Sequence, residues 1–325
     1  MKRHSLKVIA AFSLALFASA ASAQADYPNK PIRLVVAWPP ASGIDTVARQ
    51  IVEALRIELG QPIIIDNRAG AAGAIGAAAV ANAPPDGYTI LFNSAAMNML
   101  AAMQTSTQYK MPDSFTPSVN VFSSPMVLVA DPALNIKSPK DLQDLAKARK
   151  GDLFFATSGN GAPSHFVAEL FRAQAGIEAT PVHTRGSPQA MLEQMAGRVA
   201  FHFAITSTAL APAKDGRVTA VAVTSKTRLA AAPNLPTMQE FGFKDFTASY
   251  WNGLLGPKGM PKEIAERLAL AVNRVMARPE IYAKLVGNAN EVDTTSNPQK
   301  FAALIKDDLA VWTEVVRVAQ IKPNE

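Results

Sequence analysis

The chain has 325 residues, no cysteine and a formal net charge of +6 at pH 7. Without cysteine it forms neither a disulfide nor a thiolate nucleophile or metal ligand, so one large or two ordinary domains must be stable through core burial, for which this length is ample. The basic residues do not form a dense stripe with interleaved aromatic side chains, and nucleic acid is therefore not an expected partner.

The N-terminal 23 residues have the features of a secretory signal peptide. Basic residues within 2–7 precede an apolar run at 8–20, and small residues at 21–23 match a cleavage pattern. Because the apolar run is too short to span a bilayer, we expect export, cleavage near Ala23 and a periplasmic protein, with an uncleaved amphipathic arm as the alternative. Removal of three of the 32 basic residues leaves 29 against 26 acidic ones, so the mature net charge is +3.

The first part of the mature chain alternates strand-like and helix-like segments. Apolar and β-branched runs predict strands at 32–37, 62–66 and 88–92. Apolar residues recurring every four positions predict a helix at 45–59 that ends at Gly60, and small residues predict another at 76–83. Strand–helix–strand repetition at this spacing predicts an α/β fold with a mostly parallel sheet.

The rest of the chain repeats this alternation and has no low-complexity linker. Strands are predicted at 125–130, 154–156, 181–183, 199–203 and 218–223, and helices at 138–150, 164–175, 188–196, 261–277, 279–286 and 298–319. A further strand at 248–255 is expected to cross back to the sheet formed by the first part of the chain. This order favours two lobes joined by strands over two domains on a flexible tether.

Two loops between a predicted strand and a predicted helix are candidate binding segments. The first loop, residues 38–45, contains two prolines, small residues and an acid, and the second loop, residues 156–165, contains hydroxyls, an amide and two glycines. A helix N-terminus has free N–H groups and attracts anions, and ligands of open α/β sheets bind where such loops meet. The pair predicts a carboxylate clamp, although the first loop alone is equally compatible with an ordinary connection in which Asp45 caps the helix.

Enzymatic and cofactor patterns are weak in this sequence. The glycines at 70–76 are spaced G-x-x-G-x-x-G and do not match the dinucleotide fingerprint. Ser158 or Ser164 with His165 and Asp45 could be arranged as a triad, but there is no G-x-S-x-G elbow. The histidines also lack the spacing of a metal site. We therefore expect no cofactor, no metal and no enzymatic activity, with a secreted serine hydrolase as a remote alternative.

Eight motifs follow one another along almost the whole mature chain. They are YPNKPIRLVV at 27–36, PPASGIDTVAR at 39–49, GQP at 60–62, DNRAGAAG at 66–73, PDGYT at 85–89, SGNG with SH within 158–165, AVTS at 222–225 and PNLPT at 233–237. Together and in this order they resemble the Bug family, the extracytoplasmic substrate-binding receptors of tripartite tricarboxylate transporters.

The resemblance implies a type II periplasmic-binding-protein fold, in which two α/β lobes joined by crossover strands close on a small carboxylate. The lobes would comprise residues 24–126 with 250–325, and residues 127–249. The receptor would be a monomer that passes its ligand to integral membrane permease subunits, or a sensor that presents the ligand to a membrane kinase. The resemblance implies binding roles for Trp38, Ser42, Gly43 and Asp45 in the first lobe and for Ser158, Asn160, Gly161, Ser164 and His165 in the second.

Departures from the family pattern bear on the ligand. Family members often read Pro-Tyr-Lys-Gly where this chain has Val182-His183-Thr184-Arg185-Gly186, and Phe-Asp-Asn where it has Phe203-Ala204-Ile205. Because Ala204 cannot meet an ammonium group, we expect an anionic ligand without an amino group. The usual phenylalanine of the first loop is replaced by Trp38.

The leading hypothesis is an aromatic mono- or dicarboxylate such as terephthalate. Trp38 would stack on the ring, Thr184 and Ala204 would leave room for it, and Arg185 or Thr206 would meet a distal carboxylate. The alternatives are that Trp38 only packs the closed lobes and that Arg185 is a solvated surface charge.

Overall fold

The computed structural model describes residues 27–321, and the predicted signal peptide at 1–23 lies outside them. The first elements are β1 (Ile32–Val36), α1 (Gly43–Leu59), β2 (Ile63–Asn67), α2 (Ala74–Ala81), β3 (Thr89–Ser94), α3 (Ala96–Ala102) and β4 (Phe115–Ala130). They are followed by α4 (Pro139–Arg149), β5 (Phe154–Thr157), α5 (Pro163–Ala175), β6 (Thr180–His183), α6 (Ser187–Met195), β7 (Phe201–Ile205), α7 (Thr206–Lys214) and β8 (Thr219–Val223). The last are β9 (Ser249–Pro257), α8 (Lys262–Met276), α9 (Pro279–Gly287) and α10 (Pro298–Ala319).

The strands of residues 27–321 form one nine-stranded sheet in the order β2-β1-β3-β9-β4-β7-β5-β6, with β8 also paired to β4. Up to Pro125, β4 pairs with β9; it pairs with β7 from Met126 and with β8 from Val127. Two half-sheets therefore share β4, and the α/β fold expected of a periplasmic binding protein is confirmed.

The expectation of a mostly parallel sheet is only partly correct. β1 is parallel to β2 and β3, and β5 is parallel to β6 and β7. β9 runs antiparallel to β3 and β4, and β4 runs antiparallel to β7 and β8. The antiparallel pairs arise because β4 and β9 cross between the half-sheets, whereas short βα units build the parallel part of each.

Each half-sheet has its own apolar core. In the first, Leu34 of β1 packs with Ile51 of α1 and Leu268 of α8. In the second, Phe155 and Phe171 belong to a cluster of buried aromatic side chains. Because strands such as β1 are covered on both faces, they read as continuous apolar runs, and the loops at their ends are held by a rigid sheet.

The C-terminal helix α10 contacts both half-sheets. Its N-terminal half packs on the first, where Phe301 meets Trp251 with ring centroids 5.2 Å apart. Further along, Trp312 packs edge-on against Phe166 of α5 at 5.5 Å, within the core of the second half-sheet. The assignment of all of 250–325 to the first lobe stays a prediction, and these contacts link the end of α10 to the core of the second half-sheet. Within residues 27–321 there is no helix with the length and apolar character needed to cross a bilayer.

Candidate functional site

A cavity of about 470 Å³ lies between the two half-sheets. The first loop and α1 contribute Trp38, Ala41, Ser42, Gly43, Ile44, Thr46, Val47 and Gln50, while the second loop contributes Ser158, Pro163 and Ser164. The remaining lining residues are Phe122, Ser124 and Met126 of β4, Ser187 of α6, Phe203 and Ile205 of β7, Ser207 of α7, Tyr250 and Asn252 of β9, and Asn288 and Asn290. Both loops singled out from the sequence therefore border one cavity.

The first loop is braced from below by Asp45, which is wholly buried. Its carboxylate accepts the Ala41 N–H at 2.8 Å and the Asn67 amide at 2.8 Å, and it forms a two-pronged ion pair with Arg49 at 2.9 and 3.0 Å. Burial alone would raise the pKa of Asp45, but the hydrogen bonds from Arg49, Asn67 and Ala41 outweigh it and hold the pKa below its ordinary value. Asp45 therefore fixes the loop as an anion at neutral pH and does not line the cavity.

The α1 N-terminus is presented to the cavity by Ser42. The Ser42 hydroxyl accepts the Asp45 N–H at 3.3 Å, which makes Ser42 the N-cap of the helix. The N–H groups of Gly43 and Ile44 start the helix and have no intrahelical acceptor, so they remain available beside the cavity.

Trp38 is a fixed wall of the cavity. Its indole N–H donates to the Asn93 side-chain oxygen at 3.0 Å, and its backbone carbonyl accepts the Asn67 amide at 3.1 Å. The half-buried ring faces the cavity with its polar edge already satisfied. The ring can therefore offer a ligand an apolar face with little loss of side-chain freedom.

The second loop has the same strand–loop–helix plan but carries a pair of hydroxyls. The Ser158 N–H donates to the Ser164 hydroxyl at 2.8 Å, and the two hydroxyl oxygens are 2.9 Å apart. Pro163, the first residue of α5, has no N–H that would need an acceptor. The N-cap residue Ala162 has no side-chain oxygen, so no side chain caps the helix start. The start of α5 is therefore left open toward the cavity.

His165 braces this loop through its imidazole ring. Its Nδ1 accepts the Gly161 N–H at 3.1 Å, and its Nε2 lies 3.7 Å from the Glu169 carboxylate, which Arg172 holds with two hydrogen bonds of 2.7 Å. Burial would raise the pKa of Glu169, but bonds from His165 and Arg172 lower it. Both ring nitrogens of His165 are therefore turned away from the cavity serines, and the serine–histidine pair of a hydrolase is not formed.

A second histidine packs against the first. The rings of His165 and His183 meet edge to face at 4.7 Å, and His183 Nδ1 lies 2.7 Å from the Thr157 hydroxyl. Burial and the neighbouring His165 lower the pKa of His183 below 6.5. These contacts favour the uncharged form of His183 beside the second loop.

The structure brings only some of the predicted site residues to the cavity. The ones that line it are Trp38, Ser42, Gly43, Ser158 and Ser164. Asp45, Gly161 and His165 lie behind them as braces, and Asn160 belongs to the second loop without lining the cavity.

Ala204 and Thr206 are kept from the cavity by strand geometry. Successive side chains of a strand point to opposite faces, so Phe203 and Ile205 line the cavity while Ala204 is buried in a separate apolar cluster. Thr206 is also buried, and its hydroxyl donates to the Pro125 carbonyl at 2.6 Å. The expectation that Ala204 makes room for a ligand and Thr206 meets its distal carboxylate finds no support in this arrangement.

Thr184 and Arg185 shape the adjacent turn instead. The Thr184 hydroxyl lies within hydrogen-bond distance of the carbonyls of Thr157, at 2.9 Å, and Gly186, at 3.0 Å. The Arg185 backbone N–H donates to Gln189 at 3.0 Å, and its side chain is exposed. Neither residue lines the cavity.

Sequence reasoning missed the residues that the crossover strands contribute. Ser124, Tyr250 and Asn252 line the cavity because β4 and β9 pair beneath it. The Tyr250 hydroxyl is 2.6 Å from that of Ser94, and burial raises the pKa of Tyr250 to about 12. These positions are remote in sequence and carry no local motif. The only signal was the expectation that 248–255 crosses between the lobes.

The lining of this cavity contains no lysine, arginine, aspartate or glutamate. A charged ligand group would therefore be met by N–H and hydroxyl dipoles, which bind an anion strongly because the bonds are charge-assisted. Across residues 27–321, histidine, aspartate and glutamate side chains do not gather in threes or more in a way that could hold a metal ion.

Fold and cavity together define a solute-binding receptor. The sequence profile of the tripartite tricarboxylate transporter family receptor, TctC, matches residues 47–321, and the chain belongs to this family. It is 33% identical to protein BugT of Bordetella pertussis over 316 residues, 96% of each chain, so the resemblance to the Bug family is confirmed.

Two solved structures carry the same fold. The R. palustris protein Rpa4515 with adipate is 28% identical, with a TM-score of 0.75 over 92% of this chain and 100% of that one. MatC from Rhodopseudomonas palustris with bound malate is 27% identical, with a TM-score of 0.72 over 89% of this chain and 100% of that one. The similarity thus extends over nearly the whole length of both proteins.

Proposed function

We propose that this receptor captures a small carboxylate in the periplasm by closing its lobes, and delivers it to the membrane permease of a tripartite tricarboxylate-type transporter. The observation that carries the proposal is the convergence of two helix starts, those of α1 and α5, on one uncharged cavity. Similar receptors solved with adipate and with malate support a carboxylate as the ligand class.

The ligand carboxylate would lie between the two loops. The free N–H groups of Gly43 and Ile44 and the hydroxyls of Ser42, Ser158 and Ser164 provide donors next to two helix N-termini. Helix starts favour negative charge, and their N–H groups point toward it. An anion held this way needs no opposite charge in the cavity wall.

The body of the ligand would be aromatic, in an aromatic mono- or dicarboxylate such as terephthalate. Trp38, Phe122, Phe203, Ile205 and Tyr250 supply a largely apolar wall. A cavity of about 470 Å³ is within the size range of small-molecule sites. The fixed indole of Trp38 is placed to stack on a flat ring.

Calorimetric titration with benzoate, terephthalate, adipate and glutamate tests this ligand class. We expect the aromatic acids to bind most tightly and glutamate to bind least, because no side chain of the cavity wall offers an acid to an ammonium group. Trp38→Ala should weaken benzoate binding about 10-fold, since a stacked aromatic pair contributes roughly 0.5–1.5 kcal/mol beyond its buried area. Trp38→Phe is the matched control that keeps a ring and loses the bond to Asn93. Tighter binding of adipate or glutamate than of both aromatic acids would overturn the aromatic assignment.

Closure would occur where the half-sheets join. We place the hinge near 126–129 and 249–252, because β4 changes its pairing partner at Met126 and β9 pairs with it beside this point. The lobe boundaries at 126 and 250 belong to the same proposal. Ligand shifts such a protein toward the closed state only if it binds that state better. Small-angle scattering at saturating benzoate should show a smaller radius of gyration, and unchanged dimensions would contradict closure.

A further inference from the structure

A second polar part of the cavity wall is built where the crossover strands meet a short turn. The turn, residues 288–290, is fixed because the next residue, Glu291, pairs with Ser123 through two backbone hydrogen bonds of 2.9 and 2.8 Å, and its carboxylate accepts the Ser249 hydroxyl. Ala289 has a φ of 59°, in the left-handed region, which reverses the chain there. Asn288 and Asn290 consequently both line the cavity.

The side-chain amides of Asn252 and Asn290 each use only one of their two polar atoms in a hydrogen bond within the protein. Asn290 Oδ1 accepts the Ser124 hydroxyl at 2.8 Å, which leaves the Asn290 NH₂ as a donor. The Asn252 NH₂ donates to the Tyr250 carbonyl at 2.9 Å, which leaves Asn252 Oδ1 as an acceptor. Within residues 27–321 neither of the two remaining atoms has a protein partner. The cavity wall therefore offers one donor and one acceptor, contributed by adjoining segments.

The charges around this region disfavour a second anion. The cavity wall contains no cation, and the ionisable side chain that anchors the turn is an acid, Glu291. Burial raises the pKa of Glu291, in keeping with a carboxylate that has little water and no cation beside it. A second carboxylate would lose its hydration without gaining an opposite charge, and it would leave the acceptor of Asn252 facing another acceptor. A hydroxyl or carboxamide, in contrast, can use both the donor and the acceptor.

We propose that Asn252, Asn290 and Ser124 form a specificity patch for an uncharged group that both donates and accepts hydrogen bonds, so that the ligand is a monocarboxylate with a carboxamide or hydroxyl at its second end. The inference rests on the proposed function, in which the carboxylate itself is held between the two loops. It narrows the mono- or dicarboxylate of that function to a monocarboxylate, and it is independent of whether the body is aromatic.

Two isosteric pairs of probes separate these claims. Terephthalate and 4-carbamoylbenzoate share an aromatic body, adipate and adipic acid monoamide share an aliphatic one, and each pair differs only in whether the second end is a carboxylate or a carboxamide. In calorimetric titrations at pH 7 we expect the monoamide to bind at least 10-fold more tightly than the diacid within each pair that binds. Equal or tighter binding of the diacids overturns the specificity patch and leaves the proposed function intact. Absence of binding by all four overturns the proposed function and the patch with it.

A charge introduced at the turn tests the location of the patch. Asn288 is exposed at the cavity wall, so Asn288→Lys should fold normally and supply the missing cation. We expect it to shift the ratio of monoamide to diacid affinity by at least 10-fold toward the diacid. The matched control is Asn82→Lys, which makes the same charge change at an exposed position outside the cavity and should leave the ratio as in the parent protein. An unchanged ratio in Asn288→Lys, or an equal shift in Asn82→Lys, would place the second end of the ligand elsewhere.

Discussion

The first and second loops expose similar groups to the cavity, but they are held in place by opposite kinds of chemistry. Each follows a strand of a half-sheet and ends at the first turn of a helix, and each places a serine hydroxyl beside that turn. Beneath the first loop lies a buried anion, Asp45, with an arginine as its partner. Beneath the second lies an imidazole, His165, that accepts a backbone N–H.

This difference shows that the residues that hold a loop in place can be charged while the cavity wall beside the loop is uncharged. Asp45 and Arg49 neutralise one another behind the loop, and the ionised Glu169–Arg172 pair lies behind His165. The cavity wall contains none of these four side chains. Charged pairs can therefore provide rigidity while the groups offered to a ligand remain neutral dipoles. With no fixed cation in the wall, the helix starts have no rival for the ligand carboxylate.

The largest effect should follow from removal of the charged brace. Asp45→Ala leaves the Ala41 N–H and the Asn67 amide without their acceptor in a buried place, and each unsatisfied group costs roughly 1–3 kcal/mol. We expect the free energy of unfolding in urea to fall by about 2–4 kcal/mol. Asp66→Ala is the matched control, because Asp66 also pairs with arginine, in its case Arg33 and Arg68, but near the surface.

Loss of the Asp66 pairs should reduce the free energy of unfolding by about 1 kcal/mol or less, since exposed ion pairs are individually weak. Similar losses in both variants would show that the buried position of Asp45 contributes nothing beyond its pairing with arginine.

A smaller effect on stability, with a larger one on binding, should follow from removal of the hydroxyl pair. Ser164→Ala deprives the Ser158 N–H of its acceptor and removes one cavity donor, so we expect a loss of about 1 kcal/mol in unfolding free energy and roughly 10-fold weaker benzoate binding. Ser138→Ala removes a capping hydroxyl that accepts the Asp141 N–H at 3.3 Å, outside the cavity. It should cost a similar amount of stability and leave benzoate affinity unchanged. If Ser164→Ala binds benzoate like the parent protein, the second loop does not hold the carboxylate.

The backbone plan of both loops was predictable from the sequence because it is a local property. The apolar run of β1, the small residues of the first loop and the fourfold apolar spacing of α1 follow one another directly in the chain. The same holds for β5 and α5 around the second loop. The helix predicted at 298–319 has the bounds found for α10. Local pattern therefore located the two helix starts at the cavity.

Features that depend on distant pairing were not predictable in this way. The first ten residues of β4 contain a proline and several polar residues and resemble a loop, and they become a strand because β9 pairs with them. The helix α7 was missed because it contains Pro212, which is poorly compatible with a helix interior. Ser124, Asn252 and Asn290 are brought together only by β4, β9 and the bridge from Ser123 to Glu291.

Acidification should distinguish the two loops most directly, because one backbone amide in each loop can be followed by NMR as the pH falls. Burial lowers the pKa of His183 below 6.5, so its uncharged form contributes stability at neutral pH that is lost as the pH falls below 6.5 and through the lowered value. His183 packs against His165, and protonation of His183 turns its Nδ1, which lies 2.7 Å from the Thr157 hydroxyl, into a donor, so that hydroxyl can then only accept from it. Glu169 and Arg172 flank this pair and carry opposite charges that compensate one another locally. The second loop should therefore loosen as the pH falls below about 6.5.

The first loop should not change in the same range. The pKa of Asp45 lies below 3.8, so its carboxylate keeps accepting the Ala41 N–H until the pH falls beneath that value. In NMR spectra recorded from pH 7 to pH 5, we expect the resonance of the Gly159 amide, whose N–H donates to the Thr157 hydroxyl at 3.3 Å, to shift and its exchange protection to fall, while the Ala41 amide keeps both. His183→Gln, whose side chain does not titrate, should abolish the change at Gly159. Parallel changes at both amides in the parent protein would mean that the two braces are coupled, and that their different chemistry does not make the loops independent.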